Sequence, residues 1–375
     1  MREIWFWQRI VSPHMAGLAR ALARHGCKVT YVAERDLSDD RKQLGWSVPT
    51  MDGVDLRFAS HPLEVAECVA AAGCDSVHLC QGLRANGLVS NAQKHLAERG
   101  LRQWVLMETI GEHGWVGPIK RAVYAALFRQ HRARIKGVLA LGHRTSGWVA
   151  DRGMPQSHVF PFAYFLEDRP TPLAIRPRGD APFRVAFVGQ FIELKRLPLL
   201  VDALANLKGS SAELVVVGSG ALERRWRTHA ERRMPNRVRW LGALPSAQVL
   251  ELLGEVDCLV LPSRYDGWGA VISEALMAGT PVICSDCCGA AGAVSASGVG
   301  GVFERDDEAG LAALLARAIA AGPSSTSDRE ALSRWAASLG AEAGARYLLD
   351  ILAHVDGTGA RPEAPWMRGT SPCAV

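Results

Sequence analysis

"DCLVLPSRYDGWGAVISEALMAGTPVICSD", residues 257–286, reads as one structural unit. An apolar run of strand length, DCLVLPS, meets a glycine turn, RYDGWG. AVISEALMA then follows with helical period and stops at Gly279, where Pro281 bars continuation. PVICSD supplies the next strand. Two apolar runs joined through a helix make a βαβ crossover, the building block of a parallel sheet. The unit also holds two carboxylates eight positions apart, Asp266 in the turn and Glu274 in the first turns of the helix. A glutamate near a helix start commonly serves the dipole or a cap. The alternative is that both carboxylates face a ligand across the glycine turn.

Outward from this unit the same alternation continues in both directions. Upstream and downstream of it run FRVAFVGQ, ELVVVGSG, VRWLGA and GVFERD. An earlier series holds REIWFWQ, KVTYVAE, DLRFAS, SVHLCQ, WVLMET, GVLALG and HVFPFAY, with an amphipathic helix at 14–26. Between the two series, residues 166–182 are proline-rich and lack periodicity, the mark of a linker. The expected fold class is α/β, two doubly wound Rossmann-like domains facing a central cleft. Residues 1–165 form the first, 183–330 the second, 331–355 a terminal helix crossing back to the first, and 356–375 a disordered Gly/Pro-rich tail.

Composition agrees with a large α/β protein: 375 residues, 48% apolar and 22% charged, enough for two domain cores. Nine irregularly spaced cysteines suit a reducing compartment rather than a disulfide framework. Apolar runs are broken well before the roughly 18 residues that span a bilayer. The expected location is cytoplasmic, with the inner face of the cytoplasmic membrane as a second placement. A net charge of +5 is too weak to argue for nucleic acid.

Ligands of doubly wound sheets bind beyond the carboxyl ends of the strands, so the glycine turns mark candidate site residues. FVGQFIELKR (187–196) and LVVVGSGALERRW (214–226) each end a strand in glycine and enter a helix. Backbone N–H groups there can hold a phosphate, and Lys195 can add a cation. The plain reading is a tight turn at Gly218 and Gly220 and a solvated lysine. Taken together, the turns and carboxylates would suit a sugar nucleotide: N–H groups for the diphosphate, Glu274 for ribose hydroxyls, Asp266 for hydroxyls of the transferred sugar.

From about Phe183 to Phe303 the chain resembles the GT-B glycosyltransferases of the family 4 type, or glycosyl transferases group 1. Their signature is an acidic pair, E-x7-E, in a P-S…G-F-G…E-A run; here it is PSRYDGWGAVISEALMAGTPV, with Asp266 for the first glutamate and Trp268 for the phenylalanine. GQFIELK matches a G-R-L-x-x-x-K element at Gly189 and Lys195, with Gln190 where arginine is usual and Arg196 a candidate to compensate. VVGSGALERR resembles the V-G-x-G-x-L turn, VRWLGALP the strand and loop beside the base, and CGAAGAV a later glycine loop. The resemblance implies a retaining, metal-independent transferase with no cofactor. Asp266, Glu274 and Lys195 would be catalytic; Gly189, Gln190, Lys195, Arg196, Gly218, Ser219, Leu244, Gly267, Trp268, Gly269, Ala270 and Glu274 would bind the donor.

The first domain resembles the family more loosely, through QRIVSPHMAGL and LMETIGEHGW. Ser12, His14, Glu108 and His113 are the acceptor-side candidates, with helix-end and loop roles as the alternative. His78 reads as a buried strand residue. CSDCC (284–288) reads as small residues after a strand, and no Asp-x-Asp pair occurs. KRAVYAALFRQHRARIK, 120–136, has helical period with Val123, Leu127 and Ile135 apolar and six Lys/Arg; it is either an ordinary surface helix or a contact for an anionic membrane. The expected partners are a nucleotide-sugar donor, UDP-sugar favoured, and a glycan or lipid-linked glycan acceptor in bacterial polysaccharide or glycolipid synthesis. A UDP-sugar 2-epimerase of the same fold, a phosphorylase and a catalytically impaired nucleotide-sugar-binding protein are the alternatives. A dehydrogenase is disfavoured because no complete G-x-G-x-x-G occurs.

Overall fold

The computed structural model describes residues 1–37, 47–83, 87–112, 115–168, 181–207 and 209–368. Most of the expected linker, 169–180, and His113 lie outside the described residues. The chain forms two compact units. The first holds β1 (Glu3–Ile10), α1 (Pro13–Arg24), β2 (Lys28–Arg35), β3 (Asp55–Phe58), α2 (Pro62–Ala71), β4 (Val77–Gln81), α3 (Leu88–Glu98), β5 (Gln103–Glu108), α4 (Gly117–His131), β6 (Ile135–Leu141), α5 (Thr145–Ala150) and β7 (Val159–Phe162). Its seven strands are all parallel, in the order β3-β2-β1-β4-β5-β6-β7.

The second unit holds β8 (Arg184–Val188), α6 (Leu197–Asn206), β9 (Glu213–Val217), α7 (Glu223–Arg233), β10 (Val238–Gly242), α8 (Ser246–Glu255), β11 (Cys258–Leu261), α9 (Ala270–Met277), β12 (Val282–Ser285), α10 (Ala291–Ser297), β13 (Gly300–Phe303), α11 (Glu308–Ala321) and α12 (Thr326–Ala336). Its parallel sheet runs β10-β9-β8-β11-β12-β13. Strand order therefore reverses between β8 and β11, which opens a crevice at their carboxyl ends. α13 (Ala341–Val355) belongs to the first unit.

Burial of both sheet faces explains the near-continuous apolar strands. In the second unit Phe187, Leu200, Leu204, Val216, Trp226 and Leu311 share one core, each such side chain stabilising by about 1.5–3 kcal/mol. In the first, Trp5, Trp7, Val32 and Val89 pack on one side, and Val105, Phe128, Val138 and Val149 form a second cluster. His78 is fully buried in β4, as expected of a strand residue. Its Nδ1 accepts from Trp7 Nε1 at 3.1 Å, so its proton sits on Nε2, 2.9 Å from Ser76 Oγ. Helix starts follow local chemistry: Asp307 caps α11 through Gly310 N at 2.9 Å, and Ser325 caps α12 through Asp328 N.

Three expectations change. The terminal helix over 331–355 is two helices, because Ala337–Leu339 tightens into a 3-10 turn and Gly340 starts α13, its N-terminus capped by Asp168 on Glu342 N at 2.7 Å. The helix over 120–136 ends at His131; Arg132–Arg134 form a 3-10 turn, and Ile135 and Lys136 belong to β6. The tail is ordered through 368: Arg361 donates to the carbonyls of Ser157 at 2.8 Å and Val159 at 2.6 Å and lies over the Phe160 ring.

Candidate active site

In the second unit the predicted donor residues gather at the carboxyl ends of four neighbouring strands. Gly189 and Gln190 follow β8, Gly218 and Ser219 follow β9, Leu244 follows β10, and Asp266 to Ala270 follow β11. The first two loops touch backbone to backbone. Gly218 sits at φ 133°, and a Cβ there would lie 1.9 Å from the Gly189 carbonyl oxygen. Phe191 N donates to Ser219 O at 2.9 Å, and Leu222 N to Phe191 O at 3.2 Å. Only glycine fits such an approach.

The loop after β11 is held in the same way on its other flank. Asp266 N donates to Cys287 O, Gly289 N to Asp266 O at 3.0 Å, and Ala290 N to Trp268 O at 2.8 Å. A Cβ on Gly289 would lie 1.9 Å from Gly267 O. Gly269, in the left-handed region, precedes α9, which has no side-chain cap at its N-terminus. Those first-turn N–H groups point where an anion would be favoured. Trp268 is buried, and its Nε1 donates to Ser273 Oγ at 3.0 Å. Glu274, half-buried, lies in the second turn of α9.

Across the β8/β11 crevice, Lys195 Nζ meets Asp266 Oδ2 at 2.5 Å, with both side chains about one-sixth exposed. Arg264 N, donating to Leu194 O at 2.8 Å, ties the two loops together. Arg196 departs from the site. It adopts the left-handed conformation (φ 51°, ψ 41°) and pairs with Asp306, which Arg264 at 3.1 Å and Arg305 at 3.5 Å also approach. Burial, with the two neighbouring arginines, lowers the Arg196 pKa against the pull of Asp306. Burial would raise the Asp306 carboxyl, but the three guanidiniums hold it below its usual range. Compensation by Arg196 for the glutamine at 190 thus competes with an existing ion pair.

In the first unit, Ser12 and His14 follow β1, and Glu108 ends β5. Tyr164, which sequence reasoning missed, links two of them: its hydroxyl donates to Glu108 Oε1 at 2.8 Å, and its ring lies 5.4 Å from that of His14. Ser12 N donates to Tyr31 Oη at 3.2 Å, and burial pushes the Tyr31 phenol up. Tyr164 gave no signal beyond standing at the end of an apolar run. Among the described residues no group of three or more His, Cys, Asp or Glu is placed to hold a metal ion, and no helix is long and apolar enough to cross a membrane.

Residues 146–336 match the family described as glycosyl transferases group 1. The chain belongs to that family. It is 30% identical over 167 residues to the glycogen synthase of Mycobacterium tuberculosis (strain CDC 1551 / Oshkosh), covering 44% of this chain and 40% of that protein. It is 31% identical over 191 residues to the lipopolysaccharide 1,6-galactosyltransferase of Escherichia coli (strain K12), covering 48% and 52%. The chain thus spans about half or less of the curated relatives' length. Among solved structures, Anabaena Alr3699/HepE in complex with UDP is similar, with a TM-score of 0.69 at 15% identity over 94% of this chain and 100% of that one. At that identity the likeness is one of fold, and it is the GT-B arrangement of two Rossmann-like domains. The glycosyl transferases group 1 match begins within the first unit and spans the β8–β13 sheet with every donor candidate named above.

Proposed function

We propose that this group 1 family member transfers a sugar, with retention, from a nucleotide diphosphate sugar to a glycan or lipid-linked glycan in bacterial polysaccharide or glycolipid assembly. The observation that carries the reading is the Lys195–Asp266 pair across the β8/β11 crevice, with Asp266 eight residues before Glu274 along the chain. A UDP-sugar is the favoured donor; the UDP complex of a fold neighbour supports that choice. As the bond from the anomeric carbon to the diphosphate breaks, negative charge grows on the leaving phosphate. Lys195 and the N–H groups at the start of α9 would stabilise it there, supplying preorganised positive charge without calling on a metal. Asp266, released from Lys195, would accept from hydroxyls of the sugar, and Glu274 from the ribose. Same-face attack, with the leaving phosphate taking the acceptor's proton, accounts for retention. The alternative of a catalytically impaired nucleotide-sugar-binding protein rests on Gln190 and Asp266, where the family usually has Arg and Glu.

Thermal shift against UDP, GDP, ADP, dTDP and their common sugars tests the donor site, because a ligand of the folded state raises its melting temperature. Stabilisation by one nucleotide, lost in Glu274→Ala and Lys195→Ala, is expected. No shift by any of them at millimolar concentration sinks the reading, and binding without sugar transfer or epimerisation leaves the impaired protein.

Residence at an anionic membrane face completes the proposal. From His113 to Ala150 the chain has seven Lys/Arg and no Asp or Glu. Those seven exceed the whole chain's excess of five, so the remainder carries a net charge of −2. Trp115 is 86% and Ile119 58% exposed at the start of α4, while Tyr124 and Phe128 face inward. An aromatic and an aliphatic side chain beside a basic surface suit an interface with anionic lipid.

A further inference from the structure

The loop that presents Asp266 is tied by backbone bonds to the 287–290 turn and to Leu194, and one large side chain packs beneath it. Gly267 and Gly269 flank Trp268, so the indole is its large buried anchor, 2% exposed and bonded to Ser273. A second indole covers it. Trp366, 7% exposed, stands edge-on to Trp268 with ring centroids 6.1 Å apart and planes at 66°. Such edge-to-face pairs add about 0.5–1.5 kcal/mol beyond the area they bury. The segment arrives at this point under restraint. Arg361 is fixed on the carbonyls of Ser157 and Val159, and Trp366 is where the chain re-enters the second unit.

We infer that Trp366 is a positioning residue for the 264–270 loop, making the C-terminal segment a working part of the donor site; the inference rests on the donor reading of that loop. With Trp366 in place, Trp268 holds the two-glycine turn in one geometry, so Asp266 and the N–H groups before α9 are set before the ligand arrives. Without it, the ligand must order the loop itself, and the cost appears as weaker binding.

The test compares full-length wild type with Trp366→Ala, Trp366→Leu and Trp366→Phe. Amide exchange of residues 264–272 is measured without nucleotide, UDP affinity by calorimetry, and kcat and KM for the donor by sugar transfer. In Trp366→Ala, exchange at 264–272 should quicken and UDP should bind about tenfold more weakly, while the strands of both sheets keep their protection. Phe, which restores a ring edge, should recover most of the affinity; Leu should recover little. Should the alanine variant fail to fold, the Leu–Phe contrast decides by the same measures. Unchanged exchange at 264–272 overturns the inference, as does unchanged UDP affinity despite faster exchange. If the wild type binds no nucleotide, the donor reading fails, and the exchange comparison still reports whether Trp366 holds the loop.

Discussion

The Lys195–Asp266 contact makes opposite predictions for its two partners. In the unliganded protein the ammonium is held by the carboxylate at 2.5 Å, whereas the proposed chemistry needs it on the leaving diphosphate. Nucleotide and Asp266 therefore compete for one cation. At this distance the gross attraction is about 7 kcal/mol with an effective dielectric of about 20. Both side chains are partly solvated, 18% and 17% exposed; desolvation and lost rotamer freedom leave a net of about 1–2 kcal/mol. Asp266→Asn frees that amount, so UDP should bind about five- to thirtyfold more tightly. Transfer should nonetheless fall, because the carboxylate meant for the sugar hydroxyls is gone. Lys195→Met should weaken UDP by about tenfold or more, the worth of a charge-assisted bond. Calorimetry with UDP on the wild type, both single variants and the double variant measures all three terms and their coupling. If Asp266→Asn weakens UDP binding as Lys195→Met does, the carboxylate belongs to the nucleotide site itself and the competition argument is wrong.

Gly218→Ala should cost about 3 kcal/mol or more, since it adds strain at φ 133° to a 1.9 Å approach on a backbone oxygen. Gly147→Ala, in open space within α5, should instead stabilise by about 0.5–1 kcal/mol; urea unfolding of the two compares them. Burial holds the His78 imidazole at about 4 against the usual 6.5, so the unfolded chain binds a proton through that window while the native state does not. Its stability contribution is intact above pH 6.5 and falls by about 3 kcal/mol by pH 4; a His78→Leu variant should lose that part of the pH slope in denaturant titrations. Sedimentation with phosphatidylglycerol vesicles should deplete the wild type and spare a Trp115→Ala/Ile119→Ala variant, with phosphatidylcholine retaining neither; equal sedimentation of both proteins would exclude those two side chains as the lipid contact.

Strands were legible because parallel sheets bury both faces. Each of the thirteen runs named from the sequence became a strand; the central ones are continuously apolar because helices cover their layer on both sides, whereas the edge strands β3 and β10 are only partly buried. Helix ends were less so. Ile135 keeps helical phase with Val123 and Leu127, yet it is buried in β6, because the chain must enter the sheet beside β5 and periodicity carries no record of that demand. The tail shows the limit of composition: a Gly/Pro-rich average pointed to disorder, while two side chains, Arg361 and Trp366, supply enough contacts to fix its path. At the site, residue identities were readable and pairings were not. Lys195 and Arg196 are adjacent and alike in charge, but the left-handed turn at Arg196 sends one guanidinium to Asp306 and leaves the neighbouring ammonium to Asp266. A sequence can nominate both cations for one phosphate; only the backbone geometry between them separates a resting ion pair in the crevice from a second one outside it.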